Sequence, residues 1–367
     1  MEERKITILN PFKITITPME RLLLINFDGD PDSKYTGFEP QFFDDSLHGK
    51  GHLIIGWRVD GKVDIYHQES LTLDPKKYDI VGKGLEKMIR TDFEEAHYEV
   101  SSFGVHASYQ FKDAYGRDLV IKVNEKNPKR RKPFSLLAPM GDAAEKPSAM
   151  PLILLNDFYF VRKKHTEIKV TIDGKTHRPD ELPLPIDGTK MFYTRYSSDP
   201  LIAHFNPEES GEIIPLNFEL NQKHMHHAGW DYEIEWDNEK PSIKQMVFKN
   251  EKHSLGLFFK KAFPDIRTLE SDGRAHGAFD IQSDPRIGVI KGEYRIKKEG
   301  NIFKITMLPS GGWKPNPTKL SLRFLYRVAK IFKNWPKTYE WTAFIEEKSP
   351  GKYHMHSKWK RINRFNI

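Results

Sequence analysis

The densest meeting of ionisable and aromatic side chains in the 367 residues is His224-Met225-His226-His227-Ala228-Gly229-Trp230-Asp231-Tyr232-Glu233-Ile234-Glu235-Trp236. Gly229 and the aromatic and β-branched residues around it oppose helix and favour strand. In one extended strand side chains alternate. His224, His226, Ala228, Trp230, Tyr232, Ile234 and Trp236 then share one face, and His227, Asp231, Glu233 and Glu235 the other. An acidic face in water makes this a half-buried strand; the same face in a polar lumen lets Asp231, Glu233 or Glu235 do acid/base work, with Asp231 the first catalytic candidate and Glu233 its substitute. His224 and His226 point to one side and are the weak candidates for a metal. Glu219 stands where a cupin-type site would carry its leading glycine, so neither metal nor cofactor is expected.

Other chemistries are excluded by what the chain lacks. It has no cysteine, which removes disulfides, thiolate nucleophiles and Cys-ligated zinc. Gly82-Lys83-Gly84 lacks the third glycine of a dinucleotide site, and neither a phosphate-cradling G-x-x-x-x-G-K-[ST] loop nor a G-x-S-x-G elbow occurs. Residues 1–5 are charged and open no apolar leader, and no apolar run reaches 18 residues, so a cytoplasmic chain is expected. The net charge of +7 is concentrated: residues 311–367 hold 13 Lys and Arg against three Glu, a balance of +10, which leaves −3 for the rest. The Lys129-Arg130-Arg131-Lys132 run reads as a solvated loop, and no nucleic-acid partner is expected.

The elements that must position these groups are short strands. Residues 6–9, 12–16 and 22–27 alternate or run apolar at strand length, and Tyr35-Thr36-Gly37-Phe38-Glu39-Pro40-Gln41-Phe42-Phe43 is an aromatic stretch interrupted by Pro40. Asp60-Gly61 between residues 52–59 and 62–68 predicts a hairpin with a type I′ turn. Similar signals recur at Ala114-Tyr115-Gly116, Asp173-Gly174, Asp187-Gly188, Asn238-Glu239 and Glu299-Gly300-Asn301. Many short strands with turn punctuation predict an all-β fold of barrels or sandwich-like lobes. A faint internal echo divides it near Asn206-Pro207, giving lobes of 1–206 and 207–367. One helix is predicted, capped by Thr318 and stopped by Pro336, with Leu325, Val328, Phe332 and Trp335 on its apolar side and Arg323, Arg327, Lys330 and Lys333 opposite. Docking of that stripe on a barrel is expected over contact with an anionic membrane.

Trp57, Tyr66, Trp230, Tyr232, Trp236, Trp313 and Trp341 are candidates to line an apolar pocket, where flat rings hold a lipophile or stabilise a cation. Gly229-Trp230-Asp231-Tyr232-Glu233 resembles the Trp-x-Asp-x-Glu region of the two-domain lipocalin-like proteins related to carotenoid 1,2-hydratase and the AttH-like group, with the Trp-Asp spacing shortened by one. The layout of residues 134–141, Gly311-Gly312-Trp313 and Trp335-Pro336 is similar to the same group. The resemblance implies two tandem lipocalin-like β-barrels around a pocket for prenyl-like or other lipophilic molecules, with Asp231 as the best-placed acid. Two functions follow as expectations: a binder or handler of a lipophilic small molecule, and a hydratase, cyclase or isomerase in which a buried carboxylic acid protonates an alkene. A carbohydrate-active β-sandwich protein is a third class with no motif behind it.

Overall fold

The computed structural model describes residues 6–78, 84–139 and 146–362; residues 1–5, 82–83 and 140–141, named above, lie outside them. The chain is all-β. A nine-stranded sheet runs in the order Phe134–Leu137, Met150–Arg162, Met191–Phe205, Arg21–Asn26, Tyr35–Asp45, Gly49–Arg58, Val63–His67 and Leu85–Arg90, with Ile14–Pro18 also paired to Met191–Phe205. A five-stranded sheet contains Lys175–His177, Thr166–Ile172, Asp118–Glu125, Gly104–Lys112 and Glu95–Ser101. Strands from residue 209 onward, Leu216–Phe218 apart, build a ten-stranded antiparallel meander from Glu209–Ile213 through Lys352–Arg361 to His224–His227 at the far edge. Among the described residues none of the sheets closes: the two edge strands of the meander do not pair with each other, so the turns build open sheets and not closed barrels.

Turn chemistry explains why the strands fall where they do. Asp173-Gly174 and Asn238-Glu239 both take positive φ at two successive residues, the twist-matched two-residue hairpin. At residues 59–61 only Gly61 does so, and Gly61 N–H donates to the Arg58 carbonyl at 3.0 Å. The hairpin there closes on a wider turn than the type I′ expected.

The five-stranded sheet covers one face of the nine-stranded sheet. Leu23, Ile25, Phe38 and Tyr66 point into that layer, where the Tyr66 and Phe111 rings lie 4.9 Å apart and His52 Nδ1 is 3.1 Å from the Tyr109 hydroxyl. The layers are pinned by a buried ion pair, Arg162 Nε to Glu125 Oε1 at 2.5 Å, with Val105 N–H also donating to Glu125 at 3.3 Å. The concave layer of the meander is filled by the start of the chain. Ile6–Ile8 pairs with Leu216–Phe218, and the Phe12 ring lies 4.8 Å from Phe263 and 6.1 Å from Trp341. The change of sheet falls between Phe205 and Glu209.

The predicted helix is two short ones, Leu320–Val328 and Lys330–Asn334, broken where Ala329 takes an extended backbone. Lys319, not Thr318, holds the N-cap position, and no side chain caps it. The break turns the second helix relative to the first, so the buried residues are Leu322, Tyr326 and Trp335, while Val328 is exposed. Trp313 anchors the pair, its ring 5.1 Å from Tyr326 and 5.8 Å from Phe332 and its indole N–H donating to the Ile287 carbonyl at 2.9 Å. Among the described residues no helix is long and apolar enough to cross a membrane.

Candidate functional site

The face of the nine-stranded sheet turned away from the five-stranded sheet carries a cavity of about 510 Å³. Strands in this sheet are covered on both sides, so both alternating sets of side chains are apolar. Leu22, Phe43, Ile55, Trp57, Ile153 and Ile202 supply the floor. The helical segment supplies the opposite wall through Leu325, Ala329, Ile331 and Phe332. The cavity therefore lies between the first half of the chain and a helical segment anchored on the second. Lys319 holds that arrangement from the other side, its Nζ 3.0 Å from Asp187 Oδ2.

A few polar groups interrupt the apolar lining. Glu39, on Tyr35–Asp45, is buried, and accepts from Gln41 Nε2 at 2.8 Å and Trp57 Nε1 at 3.2 Å. Burial pushes the Glu39 carboxyl up from its ordinary range; the bonds from Gln41 and Trp57 and the nearby Arg195 oppose this but do not outweigh it. Arg195 is half-buried on the same wall, stacked 4.3 Å over the Tyr193 ring and donating to Asn26 Oδ1 at 2.7 Å.

A second polar group forms around Thr17, Lys77 and His204, where Ile14–Pro18 lies beside Met191–Phe205. Lys77 Nζ donates to Thr17 Oγ1 at 3.1 Å, and burial lowers its pKa. His204 is buried and pushed down to about 4, by burial first and by the Lys77 cation second, so it is a neutral imidazole at pH 7. Asp74 stands at the rim, exposed. Such a site can enclose an apolar body, offer hydrogen bonds at two places, and hold one carboxyl whose proton binds more tightly than usual.

The stretch that opened the sequence reading is elsewhere. It is not one strand but a hairpin, His224–His227 with Trp230–Asp237, because Ala228 and Gly229 both take positive φ. The turn folds Asp231 opposite His226 and Glu233 opposite His224, putting acids and histidines on the same face rather than on opposite ones. That face is outward: the Asp231 side chain is 65% exposed and the His226 side chain 67%, with Asp231 Oδ1 2.8 Å from His226 Nδ1. Glu233 is half-buried beside them on a shallow concavity. The aromatic face is inward, as Trp230, Tyr232 and Ile234 are buried, and Tyr232 Oη accepts from Asn10 Nδ2 at 3.2 Å. Among the described residues no cluster of three or more metal-ligating side chains exists, at His224 and His226 or elsewhere.

Of the aromatic candidates, Trp57 lines the cavity and Trp313 supports Phe332 on its wall. Tyr66 is in the opposite layer, bonded to the Tyr35 hydroxyl at 2.5 Å; Trp230 packs 5.8 Å from Phe248; Trp236 donates to the Gln222 carbonyl at 2.8 Å; and Trp341 is in the meander core. Arg131, read as part of a solvated loop, is instead held by both oxygens of Asp157 at 2.7 and 2.5 Å. The groups that sequence reasoning missed are Glu39, Lys77, Arg195 and His204. One signal was available: Glu39 and Gln41 are polar residues at alternate positions inside an aromatic run, which water does not explain. No protein-family model, curated protein or solved structure matches the chain.

Proposed function

We propose that the protein binds a lipophilic small molecule in the cavity between the nine-stranded sheet and the helical segment. The carrying observation is the cavity itself: about 510 Å³, walled by aliphatic and aromatic side chains and interrupted by few polar groups. Its size and lining are those of sites that enclose most of a small ligand's surface. A lipophile would sit with any oxygen function near Lys77 and Thr17 or near Glu39. A carbohydrate would need a density of hydrogen-bonding groups that these walls do not offer. The resemblance to the two-domain lipocalin-like proteins implies the same class of ligand, although here the sheets are open and the cavity lies outside the core of each.

Trp57 makes the reading testable, since its ring lines the cavity. Titration with a retinoid and a polyprenyl alcohol should quench tryptophan emission saturably, Trp57→Phe should remove most of the change, and native mass spectrometry should show one ligand per chain. Ile202→Trp, which fills the floor, should abolish binding. No quenching and no mass shift with either probe would sink the reading.

A second reading is favoured by Glu39. A buried carboxyl that holds its proton more tightly than an ordinary one, beside the Trp57 ring, has what an acid needs to protonate an alkene. The proton would pass from the carboxyl to one alkene carbon, and the cation at the other carbon would be taken by water, whose proton returns to the carboxylate. Deuterium uptake from D2O into a bound polyprenyl probe, lost in Glu39→Gln with binding retained, is the expected result; uptake unchanged in Glu39→Gln would refute it.

A further inference from the structure

The helical segment shows a second, outward face that, Ile331 apart, the cavity does not use. Leu320 is 80% exposed, Phe324 54%, Val328 58% and Ile331 45%. At 100° per residue Leu320, Phe324 and Val328 form one row along the first helix, Arg323 and Arg327 the row beside it, and Leu322 and Tyr326 the buried side. Between residues 311 and 339 the chain has seven Lys and Arg and no Asp or Glu. Arg323, Arg327, Lys330 and Lys333 are exposed and have no ion-pair partner among the described residues. Four large apolar side chains in water cost free energy and have to be accounted for.

We propose that this face, Leu320, Phe324, Val328 and Ile331 with Arg323, Arg327, Lys330 and Lys333 around it, docks on an anionic lipid surface. Apolar side chains interleaved with cations and free of acids suit the boundary between headgroups and acyl chains, where the stripe is buried and the cations meet lipid phosphates. A second copy of the chain fits poorly, because the same cations would face each other across the contact. Ile331 belongs both to this face and to the cavity wall, so docking brings the cavity mouth against the bilayer. A lipophile could then pass from acyl chains to cavity without crossing water. That route rests on the binding function proposed above; the lipid contact does not.

The experiment is flotation of the full chain with phosphatidylcholine vesicles, with and without phosphatidylserine. Binding to the anionic vesicles alone is expected, weakening as salt rises from about 0.1 to about 1 M and the Debye length falls from ~10 to ~3 Å. Phe324→Glu should lower the partition coefficient more than about tenfold, and Arg327→Gln and Lys330→Gln on the order of fivefold each. All three positions are exposed, so the unfolding midpoints should stay at the parent value. No partition onto anionic vesicles, or a Phe324→Glu variant that floats like the parent, overturns the proposal. So does a concentration-dependent dimer dissolved by Phe324→Glu, or capture on polyglutamate without vesicle binding. Ligand quenching without flotation sinks this inference and spares the cavity reading; flotation without quenching does the reverse.

Discussion

Acid should destabilise this protein through His204, by an amount that follows from where the ring sits. It is buried in the cavity wall with Lys77 as its near cation, Asp74 alone opposing, and its pKa lies at about 4 against an ordinary 6.5. Between those values the unfolded chain binds a proton at this residue that the native protein does not. Stability from the neutral ring is thus complete above pH 6.5 and lost as pH falls towards 4. A difference of about 2.5 units at 1.36 kcal/mol each sets a ceiling of about 3.4 kcal/mol, and about 2.5 kcal/mol of it should be gone by pH 4.5. The perturbation is His204→Gln, which keeps a polar side chain but does not titrate. Guanidinium unfolding of parent and variant at pH 7.5, 6, 5 and 4.5 gives the difference curve, in which every other titrating group, His52 included, cancels. The variant should gain on the parent by about 2.5 kcal/mol from the first pH to the last. A difference that stays flat within about 0.5 kcal/mol would show that His204 protonates freely in the folded protein and that the wall it forms is wet.

The opposite sign is expected at Glu39, whose carboxyl is raised above its ordinary 4.5 by burial. The native protein holds that proton longer than the unfolded chain does, so stability is lost as pH rises through and above 4.5, and the advantage of Glu39→Gln should grow with pH in the same denaturation series. Glu125→Leu should cost about 3–5 kcal/mol by leaving Arg162 buried without its carboxylate. Glu125→Leu combined with Arg162→Met should recover much of it; a double variant as unstable as the single one would show that Arg162 matters for packing alone.

How far the sequence could be read depended on the range of the interactions. Asp173-Gly174 and Glu299-Gly300 announce their turns because local φ preferences decide them, and the all-β class followed from such turns. Ala228-Gly229 escaped because alanine at positive φ is unfavourable and gives no signal, and missing that turn reversed which face the histidines share with the acids. The helix stripe failed for a related reason: one extended residue, Ala329, resets the angular count, so Val328 left the buried side and Leu322 and Tyr326 joined it. Sheet closure and the cavity were not legible at all. Leu22 lines the cavity and Leu23 the opposite layer, yet adjacent leucines in a strand covered on both sides carry no mark of which layer is packed and which is hollow.

The strand Ile6–Ile8 has a consequence for the order in which the molecule is made. Its partner Leu216–Phe218 and the rings around Phe12, as far along as Trp341, are synthesised roughly two hundred to three hundred residues later. The leading segment must therefore wait, with Ile8, Leu9 and Phe12 uncovered, until the meander is built. The meander in turn closes its core on a segment roughly two hundred residues or more away in sequence. Loop closure of that length penalises the rate far more than the final stability, so the last step of folding should be the slow threading of residues 6–12 into an otherwise finished sheet. Until that step the apolar segment stays exposed, and it is what a chaperone would hold.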